Sequence, residues 1–83
     1  MGALKETGPD MTTTLFKIEG MHYEGCAIMI QSVVERKRGV RKVFVSFPDG
    51  EARILYDAST INEDQLADTI EKAGYRVLSR ESS

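Results

Sequence analysis

Between Thr12 and Ile18 the side chains alternate, with Thr14, Phe16 and Ile18 on one face and β-branched residues through much of the run. A period of two with that composition predicts a strand. Glu19 to Gly25 (EGMHYEG) has no period, holds two glycines and reads as a loop. From Cys26 to Arg38 the spacing lengthens, and Ala27, Ile30, Val33, Val34 and Lys37 share one stripe of a helix. Gly39 stands just past it, where a left-handed backbone is cheapest without a Cβ. Alternation returns from Arg41 to Phe47, with Val43, Val45 and Phe47 inward. It resumes from Glu51 to Tyr56 through Ala52, Ile54 and Tyr56. Pro48-Asp49-Gly50 between them is a turn, so the two runs form a hairpin.

The second helix carries the clearest start signal. Asn62 can cap it and Gln65, three residues on, can return the bond as a capping box. Ile61 and Leu66 can form the accompanying hydrophobic staple. Leu66, Ile70 and Ala73 give the buried stripe, Gly74 ends the helix, and Tyr75 to Leu78 is a short last strand. The order βαββαβ predicts an α+β, ferredoxin-like fold: a four-stranded antiparallel sheet with two helices on one face. Residues 1–10 (MGALKETGPD) are polar, hold a Gly-Pro pair and read as a leader or flexible arm. The domain is expected over 11–79, with a polar tail at 80–83.

Composition narrows the function. A chain of 83 residues with one cysteine allows one small domain and no internal disulfide, which fits a reducing, cytoplasmic setting. Eleven Lys+Arg against 13 Asp+Glu leave a net charge of −2, too little field for nucleic acid or anionic lipid. No apolar stretch approaches the roughly 20 residues of a membrane span, so none is expected.

The chemistry gathers in Gly20-Met21-His22-Tyr23-Glu24-Gly25-Cys26. Cys26 falls in or just before the first helical turn, where unpaired N–H groups and the helix dipole favour a thiolate. The alternative is a small buried hydrophobe.

From about Thr12 to Val77 the chain resembles the heavy-metal-associated domains: copper chaperones, metal-binding domains of P-type ATPases and mercury carriers. Gly20, Met21 and Cys26 match their Gly-Met-x-Cys-x-x-Cys loop. Gly39-Val40, Tyr56-Asp57 and Ala73-Gly74-Tyr75 match further on. The resemblance implies a soft ion, copper(I), held by two thiolates in near-linear coordination. Tyr23, however, stands where the family has its first cysteine, and a phenol with a pKa near ~10 is no substitute for thiolate.

Several donor sets remain open for the altered site: His22 with Cys26 on copper(I) or zinc, Cys26 from two protomers in a metal-bridged homodimer, or Tyr23, His22 and Cys26 together on a harder ion such as Fe(III). Met21 is expected to pack under the loop, with thioether ligation as the alternative. The resemblance implies that Tyr75 shields the site and hydrogen-bonds toward sulfur; the alternative is an aromatic that fills the edge of the core.

Ile28 and Met29 fall off the buried stripe and predict a dimer or docking surface. The run Glu35-Arg36-Lys37-Arg38, with Arg41 and Lys42, suits the negative end of the first helix. The resulting expectation is a soluble copper(I)-binding domain of metallochaperone or transporter-regulatory type, whose partner is a metal-transport ATPase or another metal-binding domain. The alternative is a metal-incompetent interaction domain. RNA binding lacks stacking aromatics and a basic face. Catalysis lacks a group to orient a Cys26–His22 pair, and no enzyme is expected.

Overall fold

The computed structural model describes residues 11–82, so the expectation for the first ten residues lies outside the described part of the chain. Six elements follow in the expected order: β1 (Met11–Glu19), α1 (Glu24–Glu35), β2 (Val40–Ser46), β3 (Glu51–Asp57), α2 (Glu63–Lys72) and β4 (Arg76–Ser82). The strands form one sheet in the order β2-β3-β1-β4, and every pairing is antiparallel.

The alternation of β1 and β3 sends Phe16, Ile18, Ala52, Ile54 and Tyr56 to one side of the sheet, joined by Val43 from β2. There they meet Ile30 and Val34 of α1 and Leu66 and Ile70 of α2 in a single buried cluster. Phe16, Ile30, Val34, Ile54, Leu66 and Ile70 are fully buried, and at about 1.5–3 kcal/mol each their transfer from water dominates what holds the layers together. Thr14 is the polar member of this interior. Its hydroxyl shares a 2.9 Å hydrogen bond with Tyr56 Oη, so its burial leaves no unmet polar group.

α2 begins as expected. Gln65 N donates to Asn62 Oδ1 at 2.8 Å, Asn62 N donates to Gln65 Oε1 at 3.1 Å, and Ile61 and Leu66 are both buried beside the cap. Three boundaries differ by more than one residue. α1 starts two residues early, at Glu24, because Gly25 is accepted in the first turn, where its propensity cost of about 1 kcal/mol is outweighed by packing further along. It ends at Glu35 rather than Arg38. Lys37 N bonds back to Val34 O and Val40 N to Lys37 O, tight turns that deliver Gly39 at φ +97° to the start of β2. The basic run therefore lies beyond the last helical turn instead of within it.

The third difference is β4, which runs on to Ser82 through the residues expected to be tail. Ser79 to Ser82 pair with Lys17 to Thr14 by backbone bonds, past an irregularity at Lys17/Ile18. An edge strand needs no apolar alternation to pair, and charges on it discourage further strands from adding. Arg80 is also held by Asp64 at 2.8 Å.

Candidate metal centre

Tyr23 is the residue before α1. Its backbone is extended (φ −162°, ψ 170°) and its side chain makes no capping hydrogen bond. The Tyr23 ring lies instead over Gly25, where a Cβ would collide with it. Tyr23 is 64% exposed, and its carbonyl accepts from Cys26 N at 3.0 Å. Cys26 is thus the third helical residue, in the first turn as expected, but only 7% of it is exposed.

The surroundings of this thiol favour its ionised form. The Tyr75 hydroxyl, hydrogen-bonding to the sulfur, is the main cause of a pKa drawn below the ordinary 9.0. The backbone N–H of His22 and, more weakly, that of Tyr23 act the same way, while burial opposes them. A lowered thiol pKa is the expected direction, but its principal source is a side chain from the far end of the chain.

The effect on Tyr75 is reciprocal. Holding its proton against the thiol pushes the Tyr75 phenol up to about 12, with desolvation adding to the rise. Gly74 at φ +105° turns the chain out of α2 directly into Tyr75. The Tyr75 ring then packs 3.5 Å from where a Cβ on Gly20 would stand, and Gly20 itself sits at φ +110°. Two turns that require glycine therefore bring Tyr75 and the Cys26 loop together.

The other expected site residues divide. Met21 is half-buried and packs against the core. His22 is exposed. Ile28 and Met29 are 64% and 50% exposed, as the helical pattern implies. They point to different neighbours, however. Ile28 lines an open groove of about 490 Å³ with Ala27, Gln31, Phe44 and Phe47. Met29 instead places Sδ 3.9 Å from Tyr75 Oη. That last contact is the one feature of the site beyond the expectations from sequence, although the spacing Cys26-x-x-Met29 already puts both sulfurs on one side of a helix. Among the described residues, no three His, Cys, Asp or Glu side chains converge as they would to hold an ion of higher coordination number.

Residues 15–76 match the heavy-metal-associated domain family. The chain is 30% identical over 67 residues to the copper chaperone CopZ of Staphylococcus epidermidis, covering 81% of this chain and 98% of that protein. It is 34% identical over 64 residues to the human copper-transporting ATPase 2, covering 77% of this chain but 4% of the ATPase, so it corresponds to one small part of that protein. Among solved structures, a putative copper-ion-binding protein from Bacillus anthracis superposes with a TM-score of 0.78 at 30% identity, covering 81% of this chain and 94% of the other.

Proposed function

The chain belongs to the heavy-metal-associated domain family, and from that premise we propose that it carries copper(I) on the thiolate of Cys26, in a site where Tyr23 takes the place of the family's first cysteine. The carrying observation is the environment of the one thiol, where the Tyr75 hydroxyl and the loop N–H groups favour the charged, metal-binding form. Thiolate is a soft donor and selects copper(I) over hard ions. Zinc in a closed site takes four ligands, and no three conventional zinc donors converge among the described residues. The relatives named for copper support the same ion.

The role is binding and transfer. Tyr23 and Met29 leave exposed apolar surface near the loop, suited to docking a metal-transport ATPase or another metal-binding domain while the ion changes hands. In this reading the domain works on the cytoplasmic side of such a pump. A second reading, a metal-incompetent interaction domain, is favoured by Tyr23 itself and by the 7% exposure of Cys26.

Anaerobic copper(I) competition against a chromophoric chelator separates the two readings, with mass in solution recorded for the native chain, Cys26→Ser and Tyr23→Cys. The native protein is expected to bind and Cys26→Ser to lose binding, while Tyr23→Cys binds one equivalent more tightly. Binding by Tyr23→Cys alone would leave the interaction domain as the function. Half an equivalent with doubled mass would assign the ion to Cys26 of two protomers.

A further inference from the structure

We infer that Met29 Sδ is the second ligand of the soft metal ion held by Cys26, so that one protomer supplies a thiolate–thioether pair along a single face of α1. The inference rests on the reading that Cys26 binds copper(I), and it names the donor that replaces the missing thiolate.

Three observations converge on Met29. Copper(I) is satisfied by a few soft donors, and thioether sulfur is soft where phenol oxygen is hard. Met29 follows Cys26 by three residues, the spacing at which helical side chains are neighbours. Tyr75 is the shared neighbour: its Oη lies 3.9 Å from Met29 Sδ, and it is the side chain that most favours the Cys26 thiolate. Both sulfurs therefore belong to the same end of α1, on the side where Tyr75 packs.

Nothing in the packing requires a methionine at this position. Met29 is half-exposed and stands outside the buried cluster, so it does not fill a gap in the core. An unbranched, half-exposed side chain has the freedom to swing its sulfur onto an incoming ion.

The test uses the full chain and two readouts. Copper(I) competition compares the native protein, Met29→Leu and Cys26→Ser. Methionine methyl NMR follows the native protein as silver(I), a soft and redox-stable stand-in, is added. Leucine preserves volume and apolar character at a half-exposed position, and the thermal midpoint of Met29→Leu, measured alongside, is expected to match the native one.

The expected result is at least about a tenfold loss of copper(I) affinity in Met29→Leu, the lower end of losses on removing even an outer partner of a metal site. The Met29 methyl resonance should shift with silver(I) while that of Met11 stays in place. If Met29→Leu binds like the native chain and the Met29 methyl is unmoved, while Cys26→Ser abolishes binding, the second ligand is not Met29 and the Cys26 reading stands. Half-equivalent binding with doubled mass, unaffected by Met29→Leu, would also overturn the inference in favour of a bridged dimer. No binding by the native chain, or equal binding by Cys26→Ser, would overturn both.

Discussion

The two helices pack on the same core and begin in opposite ways. Ile30 and Val34 of α1 are as fully buried as Leu66 and Ile70 of α2. At the start of α2, Asn62 and Gln65 close a capping box, Glu63 and Asp64 complement the dipole, and Lys72 answers at the far end. α1 has no side-chain cap, no basic residue in its last turn, and a thiol in its first. Stability resides in one helix start, and chemistry is left to the other. The two are linked, because α2 ends through Gly74 into Tyr75, the residue that conditions Cys26. A helix specified tightly at both ends fixes the position of a phenol that the loosely specified helix uses.

The most damaging test of that division strikes α2 itself. Leu66→Ala empties a fully buried position and should cost about 2–5 kcal/mol in denaturant unfolding. A cost below 1 kcal/mol would mean that α2 does not anchor the fold. A smaller and sharper test exchanges the two helix starts. Asn62→Ala removes the capping box and should cost about 1 kcal/mol. Tyr23→Asp puts a capping carboxylate at an extended position that lacks one and should gain about 0.5–1 kcal/mol. If Tyr23→Asp destabilises instead, the Tyr23 ring lying over Gly25 is what holds the start of α1.

Legibility in the sequence followed the same division. The capping box and staple of α2 are local signals, and the structure reproduces them residue by residue. The alternation of β1 and β3 was equally plain, because one face of each strand is buried and the other is not. At α1 the glycines of the loop concealed the true start, since Gly25 serves the Tyr23 ring as well as the backbone. The run of β4 past Leu78 left no trace in hydropathy, because its pairing with β1 is made by backbone atoms. In the site, its place at the helix start singled out Cys26, and the family resemblance singled out Tyr23 and Tyr75. The contact between Tyr75 and Met29 joins residues 46 positions apart and has no periodic signature.

The finest test is the proton balance between Cys26 and Tyr75 in the metal-free protein. The Cys26 thiol titrates below 9.0 in the folded chain, so its thiolate contributes stability that is whole above that value and fades as pH falls through the folded pKa. Tyr75 titrates at about 12 instead of 10.0, so its contribution is whole below 10.0 and fades as pH rises through 12. Both contributions are complete only in the narrow window between those ordinary values. Tyr75→Phe should raise the thiolate midpoint, read from ultraviolet absorbance, toward 9.0, and should flatten the gain in stability as pH rises toward that value. Cys26→Ser should return the Tyr75 phenol toward 10.0. A Cys26 midpoint unchanged in Tyr75→Phe would move the cause to the loop N–H groups of His22 and Tyr23, and α1 would then prepare its own thiolate without help from the helix it is compared with.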